Sequence, residues 1–208
     1  MKLLVFGANG RVGSLAVEKA LAKGHYVIAF VHGESRFKDH PNLEIFKGDI
    51  YDRSSVEAAV VKAEIVVSAL GSWGTPKKNV LTVAMQHSIP AMENRGIKRI
   101  VSLTGHDARA KGDTLYPLHK LTHTMLKLVA PKILIDGEAH IRLLENSSLS
   151  WTVLRSPIMN EQGRQKYCLG SNRPEAWHTI NRHAVARAMV DQISATNFIR
   201  SAPYLTRG

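Results

Sequence analysis

The chain has 208 residues, of which 44% are hydrophobic, so it can bury the core of one domain but has little room for a second. Its net charge is +11, yet the basic residues are scattered and form no long run, which argues against specific nucleic-acid binding. No stretch approaches the roughly 20 apolar residues that cross a bilayer, and the lone Cys168 cannot form a disulfide within the chain. We therefore expect a single cytoplasmic domain over 1–208, a monomer or homodimer with no membrane partner.

Strand-like and helix-like patterns alternate along the chain. Short apolar runs predict strands at 3–6, 27–31, 43–46, 65–70, 100–103 and 151–154. The first helix should end before Gly24, the second should begin at Asp52 as its N-cap, and a third over 80–94 should kink or split at Pro90. Further helical spacing covers 116–129, 135–145 and 184–193, and 203–205 has the character of an edge strand.

This alternation predicts an α/β fold, a Rossmann-type doubly wound parallel sheet. The two consecutive helices after the fifth strand interrupt the rhythm. Because ligands lie beyond the carboxyl ends of parallel strands, we expect a small helical cap there, over about 106–147 and 157–181.

A glycine-rich turn follows the first strand directly and opens the first helix. It includes Gly7, Asn9, Gly10, Arg11, Val12 and Gly13. Its three glycines suit a tight turn, close approach to a pyrophosphate and helix–strand packing, and the helix N-terminus offers free amides to phosphates. The context of strand, turn and helix predicts a dinucleotide-binding site, with NADP or NAD as cofactor.

The end of the second strand should meet the adenosine ribose. An acid there would favour NAD, but the segment offers His32, Ser35 and Arg36, which suit a 2′-phosphate and favour NADP. Glu34 keeps NAD open. Two further strand ends should face the cofactor: Asp49 is a candidate acceptor for the adenine amino group, and Ala69, Leu70 and Gly71 offer small residues and backbone groups.

These segments together resemble the atypical short-chain dehydrogenase/reductase family, in the branch of NAD(P)H-flavin and biliverdin reductases and NmrA-like proteins. The similar motifs are GANGRVG, SRF, GDIYD, SALG, VSLTG and WTVLRSP, and 181–186 resembles the family's closing stretch. The resemblance implies that Asp49–Ile50 and Ser102–Leu103–Thr104 also line the cofactor cleft. Two positions depart from the pattern, since His32 stands where an arginine is frequent and Ser156 where a proline is common.

The resemblance further implies hydride transfer to a flavin-like or quinone-like small-molecule acceptor, with flavin as a possible substrate. Such a transfer needs little acid–base chemistry and depends mainly on positioning. Ser102 and Thr104 would lie near the nicotinamide. Pro157, Met159 and Asn160, just past the sixth strand, are candidates for the substrate wall.

Two alternatives stay open. Tyr116 and Lys120 form a Y-x-x-x-K pair that would serve carbonyl reduction with Ser102, although Pro117 belongs in the first turn of a helix and would leave Tyr116 at its end. The fold could also bind the dinucleotide without turnover, as a redox sensor. His119 and His123 share a helix face but lack a third ligand, so we expect no metal site.

Overall fold

The computed structural model describes residues 1–75, 77–114, 117–175 and 177–208. The strands in these ranges are β1 (Lys2–Phe6), β2 (Tyr26–Val31), β3 (Leu43–Lys47), β4 (Ile65–Ser68), β5 (Arg99–Gly105), β6 (Ser150–Ser156), β7 (Ile158–Asn160), β8 (Tyr167–Gly170), β9 (Thr179–Asn181) and β10 (Tyr204–Arg207). The helices are α1 (Arg11–Ala22), α2 (Arg53–Val60), α3 (Val80–Asn94), α4 (Pro117–Val129), α5 (Pro131–Glu145) and α6 (Arg182–Asp191). Within the described ranges, no helix combines the length and apolar character that crossing a bilayer requires.

Eight strands form the central sheet in the order β3-β2-β1-β4-β5-β6-β10-β8. All neighbours pair in parallel except β8, which runs antiparallel to β10 at the edge. The strand order reverses between β1 and β4, the switch point at which open α/β sheets bind ligands. The predicted Rossmann-type sheet is confirmed.

Both faces of the sheet are covered. In β1, Leu3 and Val5 pack with the helices α1 and α6, whereas Leu4 and Phe6 pack with α2, α3 and α5. All four side chains are buried, as the continuously apolar strand predicted. This alternation produces two separate cores, one on each face.

The ends of α1 and α2 follow their predicted caps. Gly24 adopts a φ of +77° just past α1, and its N–H donates to the carbonyl of Leu21. The carboxylate of Asp52 accepts a hydrogen bond from the backbone N–H of Ser54 at the start of α2.

The helix α3 runs through Pro90 without a split, and its buried face includes Met85 and Met92 on either side of the proline. One expectation differs from the structure. The last strand lies inside the sheet and not at its edge, since the unpredicted strand β8 pairs along its outer side.

The two consecutive helices after β5 pack differently. The helix α5 lies in the layer beside α3, and Ile141 and Leu144 on its apolar face are fully buried in the core of that layer. The helix α4 lies outside this layer, against α5. The cap over 106–147 and 157–181 stays a prediction.

Candidate functional site

The glycine turn has the geometry that a dinucleotide site requires. Gly7 adopts a φ of +72°, and a Cβ at this position would lie 2.9 Å from the carbonyl oxygen of Ala69. A Cβ at Gly13 would overlap the carbonyl oxygen of Gly7. Side chains are therefore excluded at both positions, and α1 begins close against the ends of β1 and β4.

The N-terminus of α1 carries no side-chain cap. Gly10 is the N-cap residue, and the first turn contains no acidic residue. Arg11, in this turn, is exposed. First-turn amides have no acceptor within their own helix, so they can donate to an anion, and the helix dipole favours negative charge there.

Asn9 holds the loop after β2 against this turn. Its side-chain N–H donates to the carbonyl of Glu34 at 2.8 Å, and its side-chain oxygen accepts from the backbone N–H of Arg36 at 3.3 Å. Sequence reasoning placed Asn9 at the cofactor but not in this structural role. The two hydrogen bonds fix the loop 34–36 beside the helix N-terminus.

The acidic and the basic side chain of this loop differ, because the acidic one is paired and the basic one is not. Glu34 pairs with Lys47 at 2.8 Å, and this hydrogen bond lowers the pKa of the Glu34 carboxyl below its ordinary value. Arg36 is exposed, and within the described residues its guanidinium has neither an ion pair nor a hydrogen bond. Ser35 accepts from the N–H of Phe37. A free cation thus faces solvent beside the glycine turn.

The remaining segments that were predicted to contact the cofactor follow the ends of β2, β3 and β4. His32 lies 3.9 Å from the carboxylate of Asp49, which also accepts from the N–H of Tyr51. The carbonyl of Ile50 lies 3.0 Å from the ring nitrogen Nδ1 of His87. The N–H of Ala69, which leads into Leu70 and Gly71, donates to the carbonyl of Phe6 at 3.0 Å.

Ser102 and Thr104 lie on the face of β5 that meets α5. The Ser102 hydroxyl lies 2.8 Å from Nε2 of His140, and both side chains are fully buried. Nδ1 of His140 lies 3.3 Å from the carbonyl of Gly137, so this nitrogen carries the proton and Nε2 accepts from Ser102. Burial lowers the pKa of His140 to about 4, which keeps the ring neutral near pH 7.

Thr104 lies nearer the strand end than Ser102. Gly137 allows α5 to approach it, because a Cβ there would lie 2.7 Å from the Thr104 hydroxyl oxygen. Leu103 points to the other face and packs with the α1–α6 core. Ser102 is therefore bound inside the sheet–helix interface, and Thr104 is the closer of the two hydroxyls to the open end of β5.

A buried carboxylate next to these residues was missed by sequence reasoning. Asp136 on α5 accepts from the backbone N–H groups of Leu81 and Thr82 at 3.1 and 2.8 Å, and also from the Ser72 hydroxyl. It caps the N-terminus of α3 from a different helix. A cap supplied by a residue 54 positions away leaves no local signal in the sequence.

Residues past β6 form a second, small ladder. Pro157 is buried, β7 pairs in parallel with β9, and Asn160 accepts from the N–H of Gln162. Met159 packs against the α1–α6 core, whereas its neighbour Ile158 is exposed.

The proposed Y-x-x-x-K pair is only half described. Tyr116 lies outside the described residues, and Lys120 is exposed on α4. On the inner side of this helix, His123 lies 3.1 Å from the guanidinium of Arg109 and 3.0 Å from the carboxylate of Glu138.

Comparison with known proteins agrees with this geometry. A family model described as NAD(P)H-binding matches residues 7–196. The chain belongs to this NAD(P)H-binding family. The matched region contains the glycine turn, the strand ends of β2 to β6 and all of α6, so it includes the whole candidate site.

Solved structures show the same fold. ChuY, an anaerobillin reductase from Escherichia coli O157:H7, has a TM-score of 0.77 at 22% identity, covering 100% of this chain and 97% of ChuY. A short-chain dehydrogenase/reductase from Veillonella parvula in complex with NADP has a TM-score of 0.78 at 18% identity, covering 99% of this chain and 94% of that one.

The alignments with curated relatives cover only part of each chain. The dTDP-6-deoxy-L-talose 4-dehydrogenase (NAD(+)) of Aggregatibacter actinomycetemcomitans is 33% identical over 115 residues, which are 51% of this chain and 43% of that enzyme. The chain spans less than half the length of the curated relatives that it matches.

Proposed function

We propose that the protein is an NADPH-dependent reductase that transfers hydride to a flavin-like or quinone-like acceptor. The observation that carries the proposal is the uncapped N-terminus of α1, held by Gly7 and Gly13 against the switch point of a parallel sheet. A pyrophosphate fits this cradle because the free amides and the helix dipole both favour an anion.

The loop after β2 supports NADPH over NADH. Glu34, the acid that would accept from a ribose 2′-hydroxyl, is engaged by Lys47, while Arg36 is free to bind a phosphate. Arginine binds phosphate oxygens with two parallel hydrogen bonds. Asn9 positions the backbone of Arg36 for this contact.

In the proposed reaction the reduced nicotinamide supplies a hydride to the acceptor ring, and water supplies the balancing proton. The protein binds and orients both rings. The Ser102 hydroxyl cannot donate a proton to an acceptor, since it already donates a hydrogen bond to His140 inside the core. Thr104, near the end of β5, would orient the nicotinamide amide by a hydrogen bond. Catalysis of this kind depends on positioning more than on a general acid.

A structural neighbour supports the proposed class of acceptor. ChuY is an anaerobillin reductase, and 97% of its chain is covered by the shared fold. Together with the motif resemblance to flavin and biliverdin reductases, this favours an acceptor with an extended conjugated ring.

The test is an acceptor assay. The purified protein is mixed with NADPH, and the loss of its absorbance is followed with FMN, a quinone, and a simple aldehyde or ketone. We expect turnover with FMN or the quinone that survives Tyr116→Phe. Reduction of the carbonyl compound alone, abolished by Tyr116→Phe, would overturn the proposal in favour of a carbonyl reductase. Tight NADPH binding with no turnover would overturn it in favour of a sensor.

A further inference from the structure

An exposed tryptophan lies just before β9, in the small ladder that follows the sixth strand. Trp177 is 70% exposed, which is unusual for the largest apolar side chain. Ile158, 63% exposed, begins β7 and pairs with Thr179, two residues after Trp177. Two large apolar side chains of this ladder are therefore open to solvent.

The backbone around Trp177 is well anchored. Arg173 forms an ion pair with Asp107, which follows β5 directly. The N–H of His178 donates to the carbonyl of Glu175 at 3.0 Å, and the rings of Trp177 and His178 stack with an interplanar angle of 18°. On its other side, β9 pairs with β7, which continues β6. These contacts tie the segment that carries Trp177 to the residues that follow β5 and β6.

This position follows from the binding mode of a dinucleotide. A dinucleotide bound in this way would cross the switch point between β1 and β4, with its adenosine toward β2 and its nicotinamide toward β5. An acceptor that takes hydride from the nicotinamide must lie beside it. The next space along the sheet lies over β5 and β6, and the segment that carries Trp177 is tied to the residues that follow these two strands.

We propose that the Trp177 indole is the surface on which the planar conjugated ring of the hydride acceptor stacks. The inference rests on the proposed function and names the residue that selects its substrate class. A flat indole favours an extended ring over a small aliphatic carbonyl compound, because stacking scales with the overlap of flat apolar faces. Bound acceptor would also cover the apolar surface that Trp177 and Ile158 now expose.

The test measures binding apart from turnover. FMN is titrated calorimetrically into the NADP⁺-saturated protein and into Trp177→Ala, Trp177→Phe and Ile199→Ala. Ile199 is a matched control, an exposed apolar residue at the opposite end of β6, next to Arg200, whose N–H donates to the Trp151 carbonyl. We expect Trp177→Ala to weaken FMN binding on the order of tenfold, Trp177→Phe to restore most of it, and Ile199→Ala to leave it unchanged.

Each outcome separates this inference from the proposed function. Unchanged FMN affinity in Trp177→Ala, or no FMN binding to the unsubstituted protein, overturns the inference. FMN turnover with unchanged affinity in Trp177→Ala leaves the reductase standing without this subsite. Weakened binding in Trp177→Ala without any turnover in the acceptor assay would establish the subsite and contradict hydride transfer.

Discussion

At the level of single residues, the charges of the loop after β2 are the basis of the proposed preference for NADPH. Glu34 and Arg36 are two positions apart, yet Lys47 pairs with the acid and no described side chain pairs with the base. The lowered pKa of Glu34 keeps it ionised and bound to Lys47 at neutral pH. The pairing with Lys47 links β3 to this loop, and the sequence alone did not reveal it.

Replacing Arg36 should therefore affect the two cofactors differently. We expect Arg36→Ala to weaken NADPH binding about 10- to 100-fold, since a hydrogen bond to a charged group contributes about 1.5–3 kcal/mol, and to change NADH binding little. Lys38→Ala, two residues away and equally exposed, is the control for loss of a positive charge. Parallel calorimetric titrations with both nucleotides give the comparison. An equal loss for NADPH and NADH would show that the 2′-phosphate is not the partner of Arg36.

At the level of secondary-structure elements, the contact between β5 and α5 contains a neutral histidine in a fully buried site. His140 in the folded chain has a pKa of about 4, against an ordinary value of 6.5. Between these values the unfolded chain binds a proton that the folded chain does not, so the free energy of unfolding falls as the pH drops from 6.5 toward 4. Above pH 6.5 the ring of His140 is neutral in both states, so its protonation no longer lowers the free energy of unfolding.

This linkage predicts a pH-dependent difference between the unsubstituted protein and His140→Gln. Glutamine retains an acceptor for Ser102 but does not titrate. Between pH 7 and pH 5 we expect the unsubstituted protein to lose about 2 kcal/mol more free energy of unfolding than the variant, as measured by urea denaturation. A parallel pH dependence in the two proteins would mean that His140 has the same pKa in the folded and the unfolded chain.

Elements that are buried on both sides were the ones that the sequence predicted well. The strands β1, β2 and β4 are almost entirely apolar and buried, and their continuous hydrophobic runs identify them. The strands β7, β8 and β9 have three or four residues each and only partial burial, so they leave no comparable pattern.

The surfaces against which the helices pack were less predictable than the helices themselves. The spacing of apolar residues predicted a helix within α5, but periodicity does not say that its apolar face packs in the layer beside α3. In the candidate functional site, too, local features were predictable and long-range contacts were not. The glycine turn is a local pattern and was found, whereas the contacts of Asp136 with α3 and of His140 with Ser102 join distant parts of the chain.

At the level of the whole molecule, the two cores fix the position of the site. The helices α1 and α6 cover one face of the sheet and α2, α3 and α5 the other, so the carboxyl ends of β1 to β6 form one continuous edge. The net charge of +11 adds a positive field that attracts a polyanionic dinucleotide to this edge. The central claim is that backbone amides at the glycine turn bind its pyrophosphate.

The most direct test is a calorimetric titration with NADPH of the unsubstituted protein, Gly13→Ala and Gly170→Ala. A Cβ at Gly13 would overlap the Gly7 carbonyl oxygen, whereas one at Gly170 would meet nothing within 4 Å. We predict that NADPH binds the unsubstituted protein and Gly170→Ala alike, and raises their melting temperatures by about 5–10 °C when present at roughly 100 times its dissociation constant. Gly13→Ala should bind at least about tenfold more weakly, because overpacking at this contact must displace the turn. If the unsubstituted protein showed neither heat nor thermal stabilisation with NADPH or NADH, the account would be contradicted.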